Sequence, residues 1–237
     1  MPQERLLTIS NPAIGGSGYL TLANMQADAA IAGGFHAAIH QCRGLAQAGG
    51  PLCVDVVIRE KQVLGAVPHM VDYVNGFELT EAWRTVSAVN EFRESFPRGL
   101  TVVADFFVEK PILVTASRRG PRYLTREEFI GKFEELIEEG CDLRLIAYDF
   151  AKHEFPTILK GPFSFGIIVA DLHLREDDRF VILPTAAAVE GILQNVPTKK
   201  RGLAYKERRK FNSYVFERGY EARERFAGSV HERIMFI

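Results

Sequence analysis

His36 and His40 stand four residues apart in a run of small and apolar residues. On a helix this spacing would bring two imidazoles over one metal ion, or offer one of them as acid or base in RNA cleavage. The intervening residues are Ala37, Ala38 and Ile39, so the glutamate of a zinc-hydrolase helix is missing. A third ligand would have to come from Cys42, Cys53 or a distant carboxylate. A polar rim on a buried helix fits the pattern better, and neither a metal nor a catalytic residue is expected.

Gly15 to Gly18 follow an apolar run, as a phosphate-binding loop would. The chain has no G-x-G-x-x-G and no Gly-Lys-Ser/Thr there. The loop reads as opening onto an apolar stretch, Tyr19 to Leu22, rather than onto a helix N-terminus, where amides and dipole would favour an anion. Glu60, the next acid at a strand end, is too far along for a ribose contact. A tight turn is expected and no cofactor. Cys42, Cys53 and Cys141 are odd in number and widely spaced, which implies no disulfide framework. Buried cysteines acting as small hydrophobes in a reducing cytoplasm are the simpler reading.

Two basic clusters stand out from a chain of 237 residues with net charge −1. One is Arg118, Arg119, Arg122 and Arg126. The other is Lys199, Lys200, Arg201, Lys206, Arg208, Arg209 and Lys210. Guanidinium and ammonium groups neutralise phosphates, and the neighbouring Tyr205 and Phe211 offer rings for stacking bases. Arginine-rich segments beside aromatics suit single-stranded RNA. A protein-docking face is the competing use.

The elements that must position these groups are written in hydrophobic periodicity. Leu6–Ile9, Leu52–Ile58, Leu100–Val108 and Cys141–Leu145 read as strands, the third so continuously apolar that it belongs in the centre of a sheet. A helix is expected over Gln26–Gln47 on the stripe Ile31, Phe35, Ile39 and Cys42. A second is expected at 125–139, where Thr125 and Glu128 form a capping box and Gly140 a stop. Further strands at Phe163–Leu174 and Phe180–Leu183 and a helix at Thr185–Gln194 are expected. Beyond Lys199 helix and strand are both defensible. Two strand–helix–strand units suggest an α+β, ferredoxin-like βαββαβ core with an antiparallel sheet. On this reading residues 1–150 are the core, with an insertion between strands two and three at 65–98, and 151–237 an irregular C-terminal extension packed on it. No stretch approaches 18 uninterrupted apolar residues, and Met1 to Arg5 precede no apolar signal core, so a cytoplasmic protein without membrane contact is expected.

The segments LLTISNPAIGGSGYLTL at 6–22 and ADAAIAGGFHAAIHQ at 27–41, with a fainter match in EFRESFPRGLTVVADFFVE at 91–109, resemble the RAMP superfamily of CRISPR systems. The likeness is strongest to the Csy-type subunit of type I-F and related compact complexes, which holds the 5′ handle of the guide RNA. Gly34, Phe35, His36 and Ala37 match that family's helix signature. The resemblance implies a non-catalytic RNA-binding subunit with crRNA and other effector subunits as partners, and target DNA reached through the complex. The first alternative is an endoribonuclease of the same superfamily using His36 or His40, with Tyr19 or a lysine assisting. The second is a small-molecule enzyme built on the Gly15–Gly18 loop.

Overall fold

The computed structural model describes residues 4–14, 18–43, 51–61, 70–77, 79–90, 99–106, 124–195 and 203–237. Strands β1 (Leu6–Ile14), β2 (His36–Arg43), β3 (Pro51–Arg59), β4 (Tyr73–Gly76), β5 (Leu100–Asp105), β6 (Leu143–Tyr148) and β7 (Ile234–Phe236) form one sheet in the order β2-β3-β1-β4-β5-β6-β7. Helices α1 (Tyr19–Ala32), α2 (Leu79–Asn90), α3 (Arg126–Glu138), α4 (Lys160–Arg175), α5 (Thr185–Gln194) and α6 (Leu203–Glu224) cover its two faces. From β1 to β7 every neighbouring pair is parallel; only β1–β3 and β2–β3 are antiparallel. The fold is therefore α/β with a mostly parallel sheet, not the antiparallel ferredoxin-like sheet expected from the sequence.

The strands that pattern alone locates are present, and β5 is buried along its whole length, as a parallel strand covered on both faces must be. Alternate residues divide the core. Leu7, Ile9, Val56, Tyr73, Val103 and Ile146 face α1, α4, α5 and α6. Val74, Val102, Ala104 and Leu145 face α2 and α3, against Phe129, Phe133 and Val86. The three helices between β6 and β7 thus cross the face opposite α2 and α3, which gives that connection the opposite hand to the two before it.

Four expectations are corrected. The helix expected over 26–47 begins earlier and stops at Ala32, and His36 begins a strand. Gly34 takes φ +83°, the Gly34 amide bonds Ile31 O and the Phe35 amide bonds Ala30 O, a Schellman stop that ends the helix in mid-pattern. Helix α3 ends the same way at Gly140, φ +89°. Residues 65–98, expected as an insertion, contain β4 and α2, and β4 lies in the middle of the sheet. Phe163–Leu174, expected as a strand, is the interior of α4; it is buried on every side, so its apolar residues carry no helical stripe. Phe180–Leu183 joins no ladder.

The helical layer depends on glycines at close crossings. A methyl on Gly219 would stand 2.0 Å from Phe163 O, one on Gly166 2.2 Å from Phe216 O, and one on Gly191 2.4 Å from Met25 O and Ala29 N. These contacts are backbone against backbone and have no side chain to yield. The same layer is tied to the sheet by Asp171 of α4, which is wholly buried. The Tyr73 hydroxyl donates to its Oδ2 at 2.8 Å. Arg144 donates to both oxygens at 3.1 and 3.2 Å. Arg223 donates Nε and a terminal nitrogen to Oδ1 at 3.0 and 2.8 Å. Burial pushes this carboxyl up, but Arg144, Arg223 and Tyr73 outweigh it and hold it below the ordinary carboxylate value.

Gly219→Ala is expected to lower stability by about 2–3 kcal/mol, while Gly131→Ala on α3, whose added methyl meets nothing within 4 Å, is expected to raise it by up to about 1 kcal/mol. Urea midpoints of the two variants check this. The depressed Asp171 pKa also predicts a pH dependence. Its contribution is fully present above the unfolded-state carboxyl value near 3.9 and drains away as pH falls through the lower folded value. The stability gap between parent and Asp171→Asn should therefore be about 3–5 kcal/mol at pH 7 and shrink at acid pH. A gap unchanged down to pH 2 would assign that dependence to other groups.

Candidate functional site at the carboxyl edge of the sheet

In an open parallel sheet, ligands bind beyond the carboxyl ends of the strands, where successive crossovers leave for opposite faces. Here α1 leaves β1 toward one face and α2 leaves β4 toward the other, so that point lies between β1 and β4. Gly18 stands at the N-cap of α1 with φ +87° and supplies no side-chain acceptor to the first turn. The glycine-rich turn therefore opens directly onto a helix N-terminus, contrary to the sequence expectation, because Tyr19–Leu22 is the first turn of α1 and not a separate apolar segment. Residues 15–17 lie outside the described residues.

Beneath this rim lies a buried amide network. Asn11 of β1 and Gln26 of α1 exchange reciprocal bonds at 2.9 and 3.2 Å. Asn11 Nδ2 also donates to Val54 O at 3.0 Å, and Asn75 Nδ2 of β4 donates to Asn11 Oδ1 at 3.2 Å. All three side chains are wholly buried, and Asn75 Oδ1 has no hydrogen-bond donor among the described residues. A buried acceptor left without a donor costs about 1–3 kcal/mol, and this one is one residue from the end of β4.

A buried ion pair closes the other side. Lys160, at the start of α4, bonds Asp105, at the end of β5; their side chains are 5% and 1% exposed. Lys160 Nζ also donates to Phe77 O at 3.3 Å and lies 5.9 Å from the Phe150 ring centre. One ammonium thus joins the exits of β4 and β5 to α4. The Phe77 amide donates to the Tyr19 hydroxyl at 3.2 Å, and the two rings pack 4.3 Å apart, which fixes the exit of β4 against α1. Burial, with Asp105 adding to it, holds the Tyr148 phenol well above its ordinary value, so it stays protonated at neutral pH. The arrangement presents backbone amides and the positive end of the α1 dipole at an edge whose one buried cation is already neutralised. That suits an anionic group of a bound molecule.

The histidines, Cys53 and the described basic residues singled out from the sequence stand on other elements. His36 and His40 are on β2, the outer edge strand, where four residues span about 13 Å; two imidazoles that far apart cannot share a metal. His40 Nδ1 is 3.7 Å from Asp55 Oδ2, and His36 is exposed. Cys53 is half-buried rather than a core hydrophobe; its thiol donates to Asp55 Oδ1 at 3.3 Å, a contact that favours the thiol over the thiolate. Arg118, Arg119, Arg122, Lys199, Lys200 and Arg201 lie outside the described residues. Tyr205, Lys206 and Arg208 are on the first turns of α6. Arg209 is half-buried, Lys210 is exposed, and Phe211 packs edge-on against Phe155 at 5.8 Å. Among the described residues no group of three or more His, Cys, Asp or Glu could hold a metal ion, and no helix is long and apolar enough to cross a membrane.

Residues 9–222 match the family model of pyruvate ferredoxin/flavodoxin oxidoreductase. The chain belongs to that family. No curated protein sequence matches it. Three solved structures share its fold. The gamma subunit of a keto/oxoacid ferredoxin oxidoreductase from Geobacter sulfurreducens PCA is 19% identical, with TM-score 0.59 over 93% of this chain and 97% of that one. Pyruvate oxidoreductase subunit PORC from Thermotoga maritima is 17% identical, with TM-score 0.57 over 92% and 96%. A 2-oxoglutarate:ferredoxin oxidoreductase from Magnetococcus marinus, with 2-oxoglutarate, coenzyme A and succinyl-CoA bound, is 13% identical, with TM-score 0.55 over 95% of this chain and 32% of that one.

Membership of the oxidoreductase family overturns the RAMP resemblance, and with it the non-catalytic guide-RNA role, the endoribonuclease alternative, and the crRNA, target-DNA and effector-subunit partners. The physical reason lies in the segments that carried the likeness. Residues 6–41 form a strand, a glycine turn, a small-residue helix and a second strand, a unit shared by parallel and antiparallel plans. What separates the plans is the pairing of β1 with β4, which those segments do not contain.

Lys160→Met leaves Asp105 charged and buried. It is expected to cost about 3–5 kcal/mol, with at least half recovered in Lys160→Met/Asp105→Asn. Denaturant melts of both variants measure this, and an additive double variant would remove the clamp role assigned to the pair.

Proposed function

We propose that the chain is a subunit of a 2-oxoacid:ferredoxin oxidoreductase and that its partners are the other subunits of that enzyme. The observation that carries this reading is the family match over residues 9–222, which spans the glycine turn, α1 and every strand from β2 to β6. The geometry supports a binding role at the β1/β4 edge. The α1 amides suit an anionic group of the enzyme's substrates, and the Lys160–Asp105 pair holds the surrounding exits in register. The described residues offer contacts and orientation there, and the electron transfer belongs to the assembled enzyme. A cytoplasmic location is part of the proposal, supported by three cysteines whose odd number and wide spacing imply no disulfide framework.

The test is 2-oxoacid-dependent reduction of ferredoxin by the complex purified with and without this chain. Omission should abolish turnover. Gly18→Ala, which forces a side chain into the left-handed region at a cost of about 1 kcal/mol, should lower kcat/KM for the 2-oxoacid at least tenfold while leaving assembly intact. Equal turnover without the chain would sink the reading.

A further inference from the structure

The opposite, amino edge of the sheet carries a second feature that the proposed function does not use. A cavity of about 260 Å³ opens there, lined by Arg144, Arg175, Arg233 and His231, with Asp142 and Asp177 among them. The three arginines arrive from separate elements: Arg144 from the start of β6, Arg175 from the last turn of α4, and Arg233 from the residue before β7.

The carboxylates do not balance these cations. Asp171, behind the cavity, is shared between Arg144 and Arg223, so one carboxylate answers two guanidinium groups. Arg144 Nε is buried without an acceptor. Asp177 is gripped from outside the cavity by Arg179, through bonds at 2.6, 2.8 and 3.1 Å, and reaches Arg175 only at 3.8 Å. Arg175 otherwise donates to Thr101 Oγ1 at 3.3 Å and stacks 4.9 Å from the Phe180 ring centre. Asp142 pairs with Arg233, and both are at least half exposed. The lining therefore carries three arginines against two aspartates. Arg144 and Arg175 are mostly buried, and like charges held together there are unfavourable unless an anion is supplied.

We infer that this cavity is a binding site for a small phosphate-type oxyanion, inorganic phosphate or a phosphorylated metabolite. A planar carboxylate is satisfied by one guanidinium fork. Guanidinium groups converging from three elements suit a tetrahedral group with acceptors on all sides. The volume of about 260 Å³ is enough for a phosphate with a substituent. The site is at the other end of the strands from the β1/β4 edge, so its fate and that of the proposed function are independent.

The experiment melts the full chain, with whatever subunits co-purify, in inorganic phosphate, sodium succinate or sodium chloride at matched pH and ionic strength. Phosphate should raise the midpoint by on the order of 3 °C over chloride at ten times its Kd, and succinate should not. Arg233→Ala should melt like the parent in chloride, since its exposed pair with Asp142 contributes little, yet lose at least half of the phosphate shift. Phosphorus NMR of inorganic phosphate should show line broadening by the parent and not by Arg233→Ala. Equal midpoints in phosphate and chloride, an equal effect of succinate, or an undiminished shift in Arg233→Ala would each overturn the proposal.

Discussion

Asp171 is the point on which the two main layers of the molecule meet. Its carboxylate binds Tyr73 of β4, Arg144 of β6 and Arg223 of α6 from within α4. A buried carboxylate is costly by itself, and so is a buried guanidinium; together, with hydrogen bonds to both oxygens, each removes the other's penalty. The α4 and α6 backbones can then approach as closely as Gly166 and Gly219 permit. The same contact sets the height of α4 along the sheet, and through it where Lys160 meets Asp105 at the carboxyl edge. An ion pair at one end of α4 and an ion network nearer the other fix that helix against β4, β5 and β6.

The rim of the candidate site follows from this placement. Lys160 spans from α4 to the exits of β4 and β5, and Tyr19 spans from α1 to the exit of β4. The N-terminus of α1 at Gly18 and the Asn11–Gln26–Asn75 network stand at the same end of the sheet, with the Asn75 acceptor one residue from the end of β4. Polar groups buried this completely are normally satisfied within the protein, and the exception stands where a parallel α/β sheet binds its ligands.

The family match makes the chain a member of the pyruvate ferredoxin/flavodoxin oxidoreductase family, and the geometry offers helix-terminal amides at the carboxyl edge, with no metal-ligand cluster among the described residues. Of the basic residues that the sequence offers as RNA contacts, Arg118, Arg119, Arg122, Lys199, Lys200 and Arg201 lie outside the described residues, and the others stand on α3 or α6. A run of lysines and arginines reports charge density along the chain, whereas the site's electrostatics come from backbone amides and a helix dipole, which leave no trace in composition.

Local signals were legible wherever they were self-sufficient. The capping box at Thr125 and Glu128 and the Gly140 stop stand where the sequence indicates them because each is made by residues within a few positions, and β5 and the helix at Thr185–Gln194 because their apolar runs are bounded by local breakers. The start of α1 at Tyr19, its stop at Gly34 and the helical state of Phe163–Leu174 were not legible. Tyr19–Leu22 and Phe163–Leu174 are mostly apolar with no clear stripe, and such a segment is equally content as strand or helix until its neighbours surround it. Asn11, Gln26, Asn75, Asp105 and Lys160 escaped notice because they are far apart in the chain and ordinary in type. The sequence determined which segments are apolar and where several of them begin and end. The parallel pairing of β1 with β4 was decided only by tertiary structure, since it is a contact between residues some sixty positions apart, and that pairing is what creates the site.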